Sequence, residues 1–379
     1  MCNNEAVRYS LMHFPSTFMT MKKSFLIAVV SMMATICVQA QRIQTVDKDG
    51  LPVPYATVID EDGKFIGTTD LDGVIEDVKG AKVVSITHVA YQAKKVRVGQ
   101  GGRVALDDAD FGLPEITVTK KPLVYVQTYY RMFFMSDDAD MPIYYYRAGV
   151  LDNSYERQKK NVSSSEDHFS ACNNKLIKTV LNTLLGTVIK RIAGLKTEKV
   201  EDRMKKRYKD IGIAFSPNGP GKQRITDKYG VVGAVQDNQD KGERRYSYES
   251  RLLSKHLVMA KGNKKKMDKA EKKEERQKDR IDQDFIVYRI DEDGNYLPED
   301  NVMSQVYTSY YDTKDNDHVN ILAQVFTVER AYVTKEELKR LKKKNKMKMT
   351  YENLQNFERV HNIPAIPADL RKHIVEIVK

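Results

Sequence analysis

Residues 49–74 read DGLPVPYATVIDEDGKFIGTTDLDGV and contain three Asp-Gly pairs, at 49–50, 62–63 and 72–73. Asp-Gly favours tight hairpins, because both residues tolerate the positive φ that β-branched side chains resist. Short alternating runs that fit β-strands lie between and beyond the pairs, at 55–59, 65–69, 83–88 and 95–98. Short strands separated by turns at this spacing predict a β-sandwich over residues 41–120.

The same region offers a second interpretation, since Asp-x-Asp-Gly occurs at 47, 60, 70 and again at 291. An EF-hand calcium loop needs a third oxygen ligand before its glycine and a glutamate at its end. Here the glycine comes fourth, and no such glutamate follows. We therefore expect turns, and not calcium sites, at these positions.

Three stretches of this region carry a resemblance to a known family: GLPVPYATV at 50–58, GTTDLDGV at 67–74 and VSITHVAY at 84–91. At these residues the chain resembles the carboxypeptidase regulatory-like domain, an Ig-like or transthyretin-like β-sandwich of exported Bacteroidetes envelope proteins. LPEITV at 113–118 is similar to the exit strand that usually follows. Val74 and Ala90 depart from the aromatic residue and the glycine that are common in the family. The resemblance implies a folding, docking or ligand-presenting module without catalysis of its own.

After residue 121 the pattern predicts both strands and helices. Strands are predicted at 125–135, 143–150, 211–215, 231–235, 285–290, 302–311 and 319–333, and a polar loop at 153–170. The predicted fold class is mainly β plus α+β: the N-terminal sandwich is followed, over 121–379, by a basic domain with an antiparallel sheet and an amphipathic helix. A short tail helix is predicted after Pro367.

The amphipathic helix has the clearest helical pattern in the chain. Two neighbouring apolar rows repeat every four residues: Leu176, Val180, Leu184, Val188 and Ile192, and beside them Ile177, Leu181, Leu185 and Ile189. Such rows form one broad apolar stripe on a helix, with Asn173 or Asn174 as N-cap and Gly194 at the end. We expect the stripe to face the core. A basic helix of this kind could instead lie on a membrane surface.

The segment before residue 41 predicts where the protein goes. Residues 21–23 are Met-Lys-Lys, residues 25–38 are mostly apolar, and Val38-Gln39-Ala40 offers small residues for cleavage. This pattern is typical of a secretory signal peptide at 21–40, and its apolar run is shorter than the about 20 residues of a spanning helix. We expect export to the periplasm or to the outer membrane and cell surface, and an over-extended reading frame at 1–20. Ile36 does not suit lipidation of Cys37, and a mature chain from Gln41 would keep only Cys172 and no internal disulfide.

The formal net charge of +11 is concentrated in two runs. Residues 261–280 hold ten Lys or Arg and five Asp or Glu, and residues 335–350 hold eight and two. Both runs are predicted to contain charged helices, near 261–280 and 335–346, for which solvated faces are the simplest interpretation. Like-charge clusters also attract lipid head groups and acidic glycans. The candidate contact residues for an anionic surface are Lys264, Lys265, Lys266, Lys342, Lys343 and Lys344. Nucleic acid suits this charge but not an exported protein.

The sequence contains no catalytic constellation. His373 and Glu376 have a spacing used by zinc ligands, but a catalytic zinc site needs three protein ligands and no third follows. His-Glu-x-x-His, Gly-x-Ser-x-Gly and paired cysteines do not occur. Cys172 lies near His168, but neighbours on a polar loop rarely hold the geometry that a thiol nucleophile needs. We expect no metal and no cofactor.

Two functions remain. The first is a non-catalytic cell-envelope protein whose basic domain binds an envelope glycan, an anionic lipid surface or an envelope protein, with no membrane-spanning segment in the mature chain. The second is a periplasmic hydrolase with a site in the second domain, assembled from scattered residues. A pocket among His168, His256, His318 and nearby acids would favour this second function. The first predicts binding that salt weakens; the second predicts a deep pocket with perturbed pKa values. We favour the binding protein.

Overall fold

The structure is a computed structural model that describes residues 42–99, 102–112, 120–136, 141–156, 161–262, 264–345 and 348–378. The predicted leader at 21–40 and the predicted exit strand at 113–118 lie outside these ranges. Within them the protein is mainly β, with largely antiparallel sheets and helices packed on them.

The N-terminal part forms two small sheets. Its strands are β1 (Ile43–Val46), β2 (Thr57–Asp60), β3 (Phe65–Thr68), β4 (Val74–Ile75), β5 (Val83–His88), β6 (Tyr91–Arg97) and β7 (Arg103–Ala105). One sheet has the order β4-β1-β7 and the other the order β3-β2-β5-β6. All pairs are antiparallel except β1 with β7.

The remaining strands belong, in the described part of the chain, to one ten-stranded antiparallel sheet. They are β8 (Leu123–Met135), β9 (Ile143–Glu156), β10 (Asn161–Cys172), β11 (Ala214–Pro217), β12 (Lys222–Asp227), β13 (Gly230–Asn238), β14 (Glu243–Glu249), β15 (Gln277–Arg289), β16 (Asn301–Asp312) and β17 (Asp317–Val333). Their order is β10-β9-β8-β17-β16-β15-β14-β13-β12-β11. Because side chains alternate along each strand, the sheet has two distinct faces.

Helices cover both faces of this sheet. They are α1 (Lys175–Ala193), α2 (Val200–Arg207), α3 (Ser250–Lys261), α4 (Lys264–Arg276), α5 (Lys335–Lys344), α6 (Tyr351–Val360) and α7 (Ala368–Val378). The side chain of Asn174 caps α1 by accepting from the backbone N–H groups of Leu176 and Ile177, and the helix ends before Gly194, as predicted. None of the helices in the described ranges is long and apolar enough to cross a membrane.

The inner face of the sheet, defined by Tyr129 and Phe326, packs against the N-terminal sheets and against α6 and α7. One hydrophobic cluster joins all three parts, with Val58 and Ile86 from the N-terminal sheets, Tyr307 and Phe326 from the large sheet, and Leu370 and Ile374 from α7. Most of the buried apolar side chains in the described ranges thus belong to one core that spans the predicted domain boundary. The boundary at residue 120 itself stays a prediction.

A line of buried polar side chains, the inner-face polar ladder, crosses this face. Gln305 Nε2 donates to the carbonyl oxygen of Tyr55 at 2.8 Å, and Gln324 Nε2 donates to Gln305 Oε1 at 2.9 Å. Arg131 then donates through Nε to Gln324 Oε1 at 2.8 Å and pairs through Nη1 with Glu358 Oε1 at 3.2 Å. These four side chains satisfy one another's buried polar groups, as buried polar groups require. Through them the ladder connects Tyr55 in the N-terminal part to Glu358 of α6.

The outer face, defined by Thr128, Val306 and Val325, carries two separate helix clusters. On one side α1 buries Leu185, Ile189 and Ala193 against β8, β9 and β17. On the other side α2 and α3 bury Val200, Met204 and Leu253 against β12–β15. A gap remains between the two clusters.

The Asp-x-Asp-Gly motifs form turns of one repeated kind. In each of the first three, the first aspartate accepts two backbone N–H groups, two and four residues further on: Asp47 from Asp49 and Leu51, Asp60 from Asp62 and Lys64, Asp70 from Asp72 and Val74. The glycines at 50, 63 and 73 have φ of 76°, 85° and 71°. The motif residues therefore serve turn geometry, in which the aspartate replaces a backbone acceptor.

Four expectations from the sequence were wrong. The strand predicted at 211–215 is present only in part, because Ile211 ends a 3₁₀ turn and β11 begins at Ala214. The stretch 153–170, predicted as a polar loop, contains strand residues at 153–156 and 161–170, the end of β9 and most of β10, which pair with each other. The charged run 261–280 is not one helix, since α4 ends at Arg276 and β15 begins at Gln277. The apolar stripe of α1 is not wholly a core face, because Leu176, Val180, Leu184 and Val188 are exposed.

Candidate functional site

A partly open cavity of about 910 Å³ lies in the gap between the two outer-face clusters. Apolar side chains of four strands form its floor: Val126, Ile286, Val306 and Val325. Val188 and Ile192 of α1 line one side, and Met204, Tyr208 and Ser254 line the other. This volume falls within the range of about 300–1,000 Å³ that is usual for ligand sites.

The walls of the cavity are basic. In the described part of the chain, eight basic and four acidic side chains line it. Three of the basic groups already face carboxylates: Lys206 with Glu198 at 3.1 Å, Arg251 with Glu274 at 2.6 Å and Arg280 with Asp282 at 2.8 Å. The other five are Arg191, Lys196, Arg203, Arg207 and Lys273. The site therefore combines an apolar floor with an excess of positive charge.

Burial shifts the pKa values of two of the lining groups towards neutral pH. Desolvation raises the pKa of the Asp284 carboxyl to about 6. Desolvation lowers the pKa of the Lys196 ammonium to about 8, and the charges of Arg203 and Arg191 act in the same direction. Each group can thus change its charge close to neutral pH.

Lys196 also has a structural contact. Its Nζ donates to the carbonyl oxygen of Arg191 and lies 3.5 Å from that of Ile192. These carbonyls end α1, where a positive charge is favourable. The same ammonium group therefore closes the helix and contributes charge to the cavity.

The floor contains one buried polar group that is not satisfied. Thr327 is 1% exposed, and its hydroxyl has no hydrogen-bond partner among the described residues. Thr128, also on the floor, differs, because its hydroxyl donates to the carbonyl oxygen of Ala193 at 3.0 Å. An unsatisfied buried hydroxyl is unfavourable, so Thr327 lowers the local stability of the cavity floor.

The lysines predicted to contact an anionic surface lie elsewhere. Lys264, Lys265 and Lys266 begin α4 and are exposed, and Lys342, Lys343 and Lys344 end α5. α4 packs against α3 and β15, whereas α5 packs against the last residues of β17. The structure thus places the two groups on separate helices, and neither group lines the cavity.

The three histidines among which a pocket would favour a hydrolase lie on three separate elements. His168 lies on β10, with Nδ1 3.6 Å from Glu166 Oε1. His256 lies on α3, with Nδ1 2.5 Å from Asp227 Oδ2. His318 lies near the start of β17, its ring 4.9 Å from that of Tyr311. None of the three lines the cavity in the described part of the chain.

His373 and Glu376, the pair with zinc-ligand spacing, join α7 to the N-terminal part. His373 Nε2 donates to the carbonyl oxygen of Asp62 at 2.6 Å, and Nδ1 lies 3.0 Å from Glu376 Oε2. The Asp62-Gly63 turn fits tightly here, since a Cβ on Gly63 would come within 2.7 Å of His373. Both ring nitrogens of His373 are therefore engaged in structural contacts.

Sequence patterns missed the cavity because its residues come from many separate segments. A partial signal does exist: β15 places Arg280, Asp282, Asp284 and Ile286 at alternate positions on one face. Alternation of charged side chains on a central strand is unusual for a buried face. Runs of consecutive lysines are more conspicuous, but they mark solvent-exposed helices.

A scan of the chain against protein-family models gives no match, and neither does a search of curated proteins.

Proposed function

We propose that the protein is a non-catalytic, exported cell-envelope protein that binds an anionic amphiphile in the outer-face cavity. The observation that carries this proposal is the pairing of an apolar floor with basic walls in one cavity of about 910 Å³. Burial of an acyl chain against this apolar floor is favourable, by roughly 25 cal/mol per Å² of apolar area removed from water. Arg203, Lys273 and their basic neighbours would attract the charged head group.

The N-terminal part, in this proposal, is a carboxypeptidase regulatory-like β-sandwich that supports the large sheet. Two kinds of observation support it. The two small sheets share an apolar core, and two of the three family-like motifs contain a glycine with positive φ, Gly50 and Gly73. A Cβ on Gly73, for example, would lie 2.4 Å from the carbonyl oxygen of Thr45. Export follows from the leader pattern at 21–40.

Binding of three matched probes tests the proposal. Lysophosphatidylglycerol has one acyl chain and an anionic head, lysophosphatidylcholine has the same chain with a zwitterionic head, and inorganic phosphate has the charge alone. We expect titration calorimetry to show the tightest binding for lysophosphatidylglycerol. Only this probe has both an acyl chain for the apolar floor and a net negative charge for the basic walls. Added salt should weaken that binding, since it screens the charged walls.

Other outcomes would contradict the proposal. Equal binding of both lysolipids would show that the basic walls do not select the ligand. Tighter binding of an acidic oligosaccharide, such as an oligogalacturonate, would assign the site to a glycan. Mass spectrometry of the recovered lysophosphatidylglycerol gives a further check, because released fatty acid would indicate a hydrolase, with Asp284 as its first candidate group.

The pH dependence of this binding has a definite sign. Protonation of Asp284 removes a negative charge from the cavity, so affinity for lysophosphatidylglycerol should rise several-fold as pH falls through about 6. Deprotonation of Lys196 removes a positive charge, so affinity should fall as pH rises through about 8. Titrations from pH 5 to 9 measure both steps. In Asp284→Asn the lower step should vanish and the upper step remain; a lower step that persists would assign it to another group.

A further inference from the structure

The exposed face of α1 is unusually apolar for a helix that contacts solvent. Leu176 is 78% exposed, Leu184 63% and Val180 53%, all in one row along the helix. The neighbouring row of α1 buries Leu185 and Ile189 against the outer face of the large sheet. The helix is therefore anchored to the sheet by one apolar row and presents a second row outward. Contiguous exposed apolar surface of this kind marks an interaction site.

The charges on α1 indicate what binds there. Lys175 and Lys178 lie in the first turn of α1, on either side of Leu176. Lys190 and Arg191 lie in its last turn, after Val188. The helix contains no acidic residue. An apolar row bounded at both ends by cations is typical of a helix that lies in the interface of an anionic bilayer.

We propose that α1 docks flat on the surface of a bilayer that contains anionic lipid, with Leu176, Val180 and Leu184 inserted below the head groups. A second copy of the chain fits this face less well, because a twofold contact would bring the same four cations of each copy together. Of the residues named here only Val188 and Arg191 also line the cavity, and the tests below change Val180 and Leu184, which do not line it.

A single fluorescent reporter tests the docking. The chain contains no tryptophan, so Leu184→Trp places one indole in the centre of the exposed row. Its emission should shift to the blue with vesicles of phosphatidylcholine mixed with phosphatidylglycerol, and much less with phosphatidylcholine alone. The matched control is Val360→Trp, which puts the indole at a position of α6 that is also 64% exposed but has no apolar row beside it.

A charge placed in the row should prevent docking. Adding Val180→Glu to the Leu184→Trp protein should lower its partition coefficient on the mixed vesicles roughly tenfold or more. Adding Val360→Glu, with the same change of charge, should leave it unchanged. All variants contain the same leader region, so that region cannot cause a difference in partitioning between them. Circular dichroism checks that Val180→Glu keeps the fold.

Three results would overturn the proposal. The first is an unshifted Leu184→Trp emission with the mixed vesicles. The second is an equal loss of partitioning with Val180→Glu and Val360→Glu. The third is a blue shift that appears without vesicles and disappears on dilution of the protein, which would assign the row to a second copy of the chain.

Discussion

Replacing Arg203 and Lys273 together by glutamate is expected to weaken lysophosphatidylglycerol binding roughly thirty-fold, or about 2 kcal/mol. The two side chains line the cavity from α2 and from α4. Each reversal replaces an attraction for the anionic head by a repulsion, across a cavity that solvent screens only in part. Titration calorimetry at low salt measures the loss directly.

A matched variant separates this cavity from the surface lysines. Lys264→Glu with Lys265→Glu makes the same total change of charge on exposed residues of α4, and it should alter the affinity only slightly. The conservative pair Arg203→Lys and Lys273→Arg keeps the charge and should retain most of the binding. A greater loss with the Lys264 and Lys265 variant would place the anionic site on the lysines that the sequence predicted, and would exclude the cavity.

Replacing Glu358 by alanine is expected to lower the free energy of unfolding by about 3–5 kcal/mol. Arg131 is only 1% exposed in its side chain and pairs with Glu358 at 3.2 Å. The hydroxyl of Tyr129 also donates to Glu358, at 2.7 Å. The alanine variant therefore leaves a buried guanidinium without its counter-ion and a buried hydroxyl without its acceptor. Urea denaturation followed by circular dichroism gives the difference.

Two controls make this prediction specific. Asp107→Ala removes one partner of the exposed pair with Lys94, and should cost less than about 1 kcal/mol. The double variant Arg131→Met, Glu358→Leu removes both buried charges and should be more stable than Glu358→Ala alone. A double variant less stable than the single one would mean that the packing of these two side chains, and not their charge, stabilises the inner face.

The fold could be predicted where the chain alternates strongly between apolar and polar residues. The segments at 302–311 and 319–333 are long paired strands, as predicted, because each has one face in the core. β10 was missed because its sequence, NVSSSEDHFSAC, has few apolar residues. Among the described strands β10 lies at the edge of the sheet and pairs with β9 alone. An edge tolerates polar side chains that a central strand would not.

The cavity and the exposed row of α1 could not be predicted from sequence patterns, for a different reason. The apolar rows of α1 were clear, but a single sequence does not say which row meets the sheet; the structure buries Leu185 and exposes Leu184. The cavity depends on the distance between two helix clusters, which no local pattern encodes. Charge counts located the excess of basic residues in the runs at 261–280 and 335–350, but of the eight basic side chains that line the cavity in the described part of the chain only Lys273 and Arg280 belong to these runs.

The inner-face polar ladder has a consequence for how the chain reaches its native state. It joins Tyr55 to Glu358 through partners on three strands, and α7 adds a contact between Asp62 and His373. Pairings across some 300 residues close late and slowly, because loop-closure entropy must be met first. The N-terminal sheets therefore lack their final partners until α6 and α7 have been synthesised. We therefore expect a chain that lacks α6 and α7 to expose apolar side chains of the N-terminal sheets that the complete chain buries.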